Sequence, residues 1–349
     1  MNHELYMRRC LDLAKTGMGN VAPNPMVGAV LVHENKIIGE GWHQKYGALH
    51  AEVNAINDAL SKFDEYTLRN SVLYVNLEPC SHTGKTPPCS RLIIEKKIPH
   101  IVIACSDPNP LVAGKGIQDL KSAGAEVTIG VLEKEAHHLN RRFITYHTKG
   151  RPYIILKFAQ SADGFIASEK PTEKNRWISN EYSRTLVHKW RSEEGAILVG
   201  SRTAMLDNPH LGVRNWTGRN PLRVLYDRKL KVPKEYKILD GSISTLVFNE
   251  IKDEAIGQTE FIRLKTDSEH VKEILNSLQG RRIISLIVEG GSKTLQLFIE
   301  SGLWDEARIF TSSININKGL KAPIVKGFVK EKLKVSDNTL EIINKIFIH

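Results

Sequence analysis

His50-Ala51-Glu52, together with Pro79-Cys80 and Cys89, sets one imidazole, two thiols and a carboxylate on separate turns of the chain, and their chemistry requires the fold to bring those turns together. Neutral imidazole and thiolates are zinc ligands. Three of them leave the fourth tetrahedral position to a water whose pKa the metal lowers to roughly 7. Glu52, two residues after the candidate ligand His50, would stand beside the ion without binding it. There a carboxylate can take the proton of that water and pass it to a leaving group. A structural zinc is the alternative, but a closed site wants a fourth protein ligand that this motif does not supply.

The pattern follows the H-x-E…P-C-x-x-C signature of zinc deaminases with one departure. Ser81-His82-Thr83-Gly84-Lys85-Thr86-Pro87-Pro88 stand between the cysteines where two residues are usual. Val53, Ile56 and Leu60 recur at helical spacing, which predicts a helix over 50–60 with His50 and Glu52 in its first turn. Cys80 follows an apolar run, and 90–97 reads as the next helix. Positive helix ends would favour thiolate over thiol.

A chain of 349 residues suits two domains rather than one. In the first half, short apolar runs at 27–32, 36–41, 72–76, 101–104 and 126–129 alternate with helical patterns, the mark of a layered α/β domain. A polar helix is expected over 133–146. The break at His147-Thr148-Lys149-Gly150-Arg151-Pro152 then divides the chain into domains 1–147 and 148–349. A second α/β series has strands at 153–159, 196–200, 222–226, 245–248, 283–288, 307–311 and 340–348, with helices at 181–192, 268–278 and 292–301. No run reaches the roughly 18 apolar residues of a membrane helix and the start lacks a signal core, so a cytoplasmic protein that does not enter membranes is expected. Cys10 and Cys105 read as ordinary buried thiols. The net charge of +10 is spread along the chain. It suits a solvated basic surface that attracts small anions, and no basic arm for nucleic acid is visible.

Other motifs resolve on their spacing. Gly84-Lys85-Thr86 ends like a phosphate loop, but Pro79 occupies the place of its first glycine. Gly114-Lys115-Gly116 lacks the third glycine of a dinucleotide fingerprint, since Asp119 stands there. Val288-Glu289-Gly290-Gly291-Ser292-Lys293-Thr294 ends one apolar run and opens a helix, as a phosphate-holding turn or an ordinary tight turn would. Asn24 lies in the stiff segment Pro23-Asn24-Pro25, suited to fixing an amide against a pyrimidine edge. His43 and His82 are candidates of the same kind, or plain loop residues.

The segments 23–28, Gly41-Trp42-His43, His50-Ala51-Glu52 and above all Glu78 to Cys89 resemble the deaminase half of the bifunctional riboflavin-biosynthesis deaminase/reductases, whose own variant has this long insert between the cysteines. Asp107-Pro108-Asn109-Pro110 and Gly114-Lys115-Gly116-Ile117 agree. The segments Lys157 to Gly164, Trp177-Ile178, Arg191, Thr203…Asp207-Asn208-Pro209…Leu211…Arg214 and Glu289-Gly290-Gly291 resemble that family's reductase half. The resemblance implies a cytidine-deaminase-like three-layer α/β/α domain followed by a dihydrofolate-reductase-like α/β domain. It implies Zn²⁺ and NADPH as cofactors, a pyrimidine ribosyl phosphate as substrate, and a homo-oligomer, dimer or tetramer. For the deaminase it implies zinc on His50, Cys80 and Cys89, Glu52 as proton shuttle, and Asn24, His43 and His82 as substrate contacts. For the reductase it implies cofactor contacts at Ala159, Trp177, Thr203, Asp207, Gly290, Gly291, Ser292 and Lys293. Substrate contacts fall at Lys157, Asn175, Arg191, Leu211, Arg214 and Glu289, the two arginines suiting a phosphate dianion. One departure is Arg228, where similar enzymes carry a small hydroxyl residue; an arginine there would face the NADPH 2′-phosphate.

Two rival readings remain on sequence grounds. One is a nucleic-acid or nucleoside zinc deaminase, which calls for a concentrated basic or aromatic surface. The other is a deaminase whose C-terminal half is a non-catalytic oligomerisation module.

Overall fold

The computed structural model describes residues 2–81, 87–110, 113–170, 178–265 and 269–346, in two compact units, Met1–Gly150 and Arg151–His349. The first unit runs α1 (His3–Lys15), β1 (Gly28–His33), β2 (Lys36–Trp42), α2 (Ala51–Leu60), α3 (Glu65–Arg69), β3 (Val72–Val75), α4 (Cys89–Glu95), β4 (His100–Ile103), α5 (Lys115–Ser122), β5 (Glu126–Ile129), α6 (Glu133–Leu139) and α7 (Arg141–Lys149). Its sheet has the order β2-β1-β3-β4-β5, with β1 antiparallel to both neighbours and β3, β4 and β5 parallel. Strand side chains alternate between faces. Val30, Val32, Tyr74 and Val102 pack with residues of α1, α6 and α7, whereas Ala29, Leu31, Leu73, Val75, Ile101 and Ile103 pack with those of α2 to α5. Three layers follow from that alternation.

Helix α2 lies directly on the sheet because β2 presents glycines to it. A Cβ on Gly39 would come within 2.4 Å of the Ala55 carbonyl oxygen, and one on Gly41 within 2.3 Å of the Ala55 nitrogen. That close approach lowers the first turn of α2, with His50 and Glu52, onto the sheet edge. The segment expected as one helix over 133–146 is two: Asn140, at φ −93° and ψ 19°, ends α6 and begins α7. Helical spacing of apolar residues continues across the break, so periodicity could not reveal it.

The second unit runs β6 (Tyr153–Gln160), β7 (Phe165–Ser168), α8 (Glu181–Glu193), β8 (Ala196–Gly200), α9 (Ser201–Asp207), β9 (Leu222–Tyr226), a 3-10 turn (Lys237–Leu239), β10 (Thr245–Asn249), β11 (Glu254–Ile256), β12 (Thr259–Arg263), α10 (His270–Gly280), β13 (Ser285–Val288), α11 (Ser292–Glu300), β14 (Glu306–Thr311), β15 (Gly319–Lys321), β16 (Phe328–Val335) and β17 (Asn338–Asn344). Its main sheet has the order β11-β12-β10-β9-β8-β13-β6-β14-β17-β16, and β7 pairs with β15 apart from it. The central strands are parallel and covered on both faces, which is why β8 and β13 read as continuous apolar runs. Helices α10 and α11 cover one face; α8 and α9 cover the other. Strand β16 escapes sequence reading because its run of Lys330, Glu331, Lys332 and Lys334 is exposed along nearly its whole length. Among the described residues no helix is long and apolar enough to cross a membrane.

Candidate active sites

Two turns of the first unit meet at a metal-binding set. His50 is the extended residue just before α2, and Cys89 opens α4. Their ligand atoms and the Cys80 Sγ all lie within 4.8 Å of one another. His50 Nδ1 is 3.6 Å from Cys80 Sγ and 3.3 Å from Cys89 Sγ. A tetrahedral zinc with Zn–S of about 2.3 Å and Zn–N of about 2.0 Å requires N···S edges of about 3.5 Å, so the donor set fits that ion. The Cys80 thiol is drawn far down, first by the hydrogen bond that Cys89 donates to it and then by His50, so Cys80 holds the thiolate and Cys89 is driven up.

Glu52, in the first turn of α2, is 3% exposed. Burial first, then the neighbouring Cys80 charge, push its carboxyl up to about 7, against the pull of His50. A proton acceptor and donor is thus held against the metal ligands in a water-poor position.

Beside them stand two further expected residues. His43 Nδ1 lies 3.1 Å from the Leu49 carbonyl, which only accepts, so Nδ1 carries the proton and Nε2 accepts from Asn24 Nδ2 at 3.2 Å. Burial lowers the pKa of His43, which keeps it neutral. Its ring stands edge-on to that of His50 with centroids 5.4 Å apart. His82 lies outside the described residues.

Glu78, which sequence reading had only as part of a motif, has a defined task. Its buried carboxylate accepts from the backbone N–H groups of Asp107 (3.1 Å), Gly114 (3.0 Å), Gly116 (3.0 Å) and Ile117 (3.3 Å). It therefore fills the anion-binding start of α5. A Cβ on Gly116 would fall 2.0 Å from the Pro79 carbonyl oxygen. This glycine-rich turn holds the segment leading to Cys80 rather than a nucleotide phosphate.

The second unit gathers a different set at the C-terminal ends of parallel strands. Arg191 of α8 reaches Glu289 with Nη2–Oε2 2.8 Å and Nε–Oε1 3.3 Å, and Lys157 Nζ of β6 lies 3.9 Å from the same carboxylate. Burial pushes Glu289 up, but Arg191 and Lys157 outweigh it and hold the carboxyl at about 2. Burial likewise draws Lys157 down, with Arg191 adding to the effect and Glu289 opposing it. His188, one turn before Arg191, accepts the Arg214 backbone N–H at 3.2 Å. Burial, then Arg191 and Arg214, hold it at about 4 and therefore neutral. Arg191 also donates to the Gly212 carbonyl at 3.4 Å. Arg214 is exposed and has no ion-pair partner among the described residues. Leu211, left-handed at φ +60°, is buried in the apolar cluster with Trp190 and Val187.

The candidate cofactor residues converge in part. Thr203 Oγ1 accepts the Gly291 N–H at 2.7 Å, joining α9 to the turn before α11. A Cβ on Gly200 would lie 2.3 Å from Thr294 Oγ1, and one on Gly290 2.5 Å from Thr294 Cβ, so neither position accepts a side chain in this packing. Ser292 and Lys293 open α11, Asp207 ends α9, and Ala159 sits half-buried near the end of β6. Asn175 and Trp177 lie outside the described residues. Asp163 is a turn clamp, accepting from the Ser161 hydroxyl at 2.6 Å and from the N–H groups of Ile316 (3.0 Å) and Asn317 (2.7 Å). Arg228 is paired with Glu250, which also binds Lys229 at 2.7 Å.

Comparison with known proteins covers both units. The family model of the cytidine and deoxycytidylate deaminase zinc-binding region matches residues 1–105, and that of the RibD C-terminal domain matches 152–341. The riboflavin biosynthesis protein RibD of Aquifex aeolicus is 41% identical over 343 residues, covering 96% of this chain and 94% of the relative. That of Bacillus amyloliquefaciens is 41% identical over 334 residues, covering 93% and 88%. The crystal structure of the diaminohydroxyphosphoribosylaminopyrimidine deaminase/5-amino-6-(5-phosphoribosylamino)uracil reductase of Thermotoga maritima superposes with a TM-score of 0.89 at 38% identity, covering 99% of each chain. Acinetobacter baumannii RibD gives 0.89 at 30% identity over 99% of each chain.

Proposed function

The chain belongs to the RibD family of bifunctional riboflavin-biosynthesis enzymes, and from that premise we propose how its two units divide the work. The zinc-binding deaminase unit removes the 2-amino group of 2,5-diamino-6-ribosylamino-4(3H)-pyrimidinone 5′-phosphate as ammonia. The reductase unit then converts the ribosyl chain to ribityl, giving 5-amino-6-(5-phospho-ribitylamino)uracil. The observation that carries the first step is the buried Glu52 set against His50, Cys80 and Cys89.

His50, Cys80 and Cys89 would hold the zinc, which when bound supplies a Lewis acid that acidifies water at neutral pH. Glu52 takes the proton of the attacking water and returns it to the departing nitrogen, so the step needs no other acid. Neutral His43, its tautomer set by Leu49, and Asn24 orient the pyrimidine ring. In the second unit Ala159, Thr203, Asp207 and the turn Gly290–Lys293 would hold NADPH, which when bound would supply a hydride. Lys157, Arg191 and Glu289 form one side of the substrate pocket. Arg214 is the free cation for the phosphate, while Arg191 is steered toward the sugar by its pairing with Glu289. The reductase match over residues 152–341 makes the C-terminal half catalytic rather than a mere oligomerisation module.

The reading places the enzyme in the cytoplasm, in keeping with four unpaired cysteines. It also makes the enzyme a homo-oligomer, supported by edge strand β16 with Phe328, Val329 and Leu333 exposed. The test of the deaminase assignment is Glu52→Gln. The variant should keep zinc and lose ammonia release by several orders of magnitude, while NADPH oxidation continues on already deaminated substrate. Near-normal ammonia release would refute it.

A further inference from the structure

We infer that Asn140, at the break between α6 and α7, is a positioning residue for deamination, acting through the backbone of Met26 on Asn24. This rests on the reading of Asn24 as part of the wall that holds the pyrimidine. Asn24 lies on the segment between α1 and β1, where backbone bonds hold Asn24 to the Val21 carbonyl and Val27 to the His43 N–H, and those of Met26 between them are made by side chains. Two buried amides supply what the ladder does not. The Met26 N–H donates to Asn140 Oδ1 at 2.8 Å, and Asn140 Nδ2 returns a hydrogen bond to the Met26 carbonyl at 2.9 Å. Asn76, just past β3, donates through Nδ2 to the same carbonyl at 3.0 Å and accepts the Gly28 N–H at 2.7 Å. Asn76 and Asn140 are 0% and 1% exposed. The peptide groups of Met26 are thereby saturated by side chains from residues 50 and 114 positions away.

This arrangement explains why an asparagine breaks the helix there. The Asn140 peptide keeps the flanking helical bonds, its N–H to the Ala136 carbonyl at 3.0 Å and its carbonyl from the Ile144 N–H at 2.9 Å, so the break redirects the side chain. At φ −93° and ψ 19°, Asn140 leaves the helical path and presents both a donor and an acceptor to Met26, as a strand neighbour would. Two residues back, Asn24 then meets His43 Nε2 at 3.2 Å with its amide orientation fixed. Without Asn140 the Met26 N–H loses its partner in a buried place, which favours a shifted loop. Because Asn24 holds the ring in ground and transition states alike, a shift weakens binding more than turnover.

The test uses the full chain and four variants: Asn24→Ala, Asn140→Ala, Asn140→Asp and the double Asn24→Ala/Asn140→Ala. Ammonia release is measured against substrate concentration, with zinc content and reduction of deaminated substrate on the same preparations. Asn140→Ala should raise KM roughly ten- to a hundredfold with kcat within about twofold and zinc unchanged. Asn140→Asp, which keeps the acceptor for Met26, should fall between it and the parent. The double variant should be no worse than Asn24→Ala alone, since one residue acts through the other. An unchanged KM in Asn140→Ala, losses that multiply in the double variant, or loss of zinc along with activity would overturn the inference. Normal kinetics in Asn24→Ala would instead remove the reading on which it rests, and the inference with it.

Discussion

Replacing Glu289 by glutamine removes one charge from a cluster in which every partner is nearly dry, and its effect on stability can be worked from the geometry. The Glu289 side chain is 10% exposed, facing Arg191 at 11% and Lys157 at 15%, so solvent screening is slight. Its carboxyl titrates at about 2 against an ordinary value of 4.5. A difference of that size contributes about 3 kcal/mol of folding stability at neutral pH. The folded value is the depressed one, so the contribution is present above pH 4.5 and is lost as pH falls toward 2. It should be about half gone at pH 3. Loss of the carboxylate also leaves Arg191 and Lys157 facing each other and removes the neighbour that opposes the downward pull of burial on Lys157. Unfolding free energies of parent and Glu289→Gln from urea titration, read from the fluorescence of Trp190 and Trp304, both buried in this unit, should differ by about 3 kcal/mol at pH 7 and converge with acidification. A gap below about 0.5 kcal/mol at pH 7, within the range of an ordinary surface pair, would refute the reasoning. So would a gap that stays constant down to pH 3.

Cys89→Ala should lower zinc from one ion per chain to a trace by elemental analysis, because two remaining ligands do not hold it; undiminished zinc with intact ammonia release would remove Cys89 from the site. Arg214→Ala should reduce kcat/KM for reduction roughly ten- to a hundredfold, matching a charge-assisted contact of about 1.5–3 kcal/mol, and leave deamination untouched. Unchanged reduction would end the phosphate assignment. Glu78→Gln replaces an acceptor of four N–H groups by one that turns its own NH₂ toward two of them, so the deaminase unit should lose on the order of 2–4 kcal/mol of stability. Thermal unfolding with the midpoint of the parent would show that the clamp is dispensable.

What the sequence determined by itself was whatever local pattern or donor chemistry could express. Alternation and continuous apolar runs located the central strands within a residue or two at either end, since burial on both faces leaves a composition that no loop shares. The spacing of His50, Cys80 and Cys89 announced a zinc site because so few residue types bind that ion, and those atoms do converge. The tertiary structure alone decided which polar residues became supports. Glu78, Asn76, Asn140 and Arg223 are ordinary letters in a polar stretch or a strand. Yet Arg223 is fully buried, giving its hydrogen bonds to Thr245, Lys237, Asp240 and Ile243. Asn140 exchanges two with a residue at the far end of its unit. The partners are backbone groups left unpaired where strands and helices end, joined for Arg223 by the Thr245 hydroxyl and the Asp240 carboxylate, and their positions exist only once the chain is packed. The same reason separates Arg191 from Arg214, two arginines that look alike in sequence: one is committed to Glu289 by the crossing of α8 over the sheet, and the other is left in solvent.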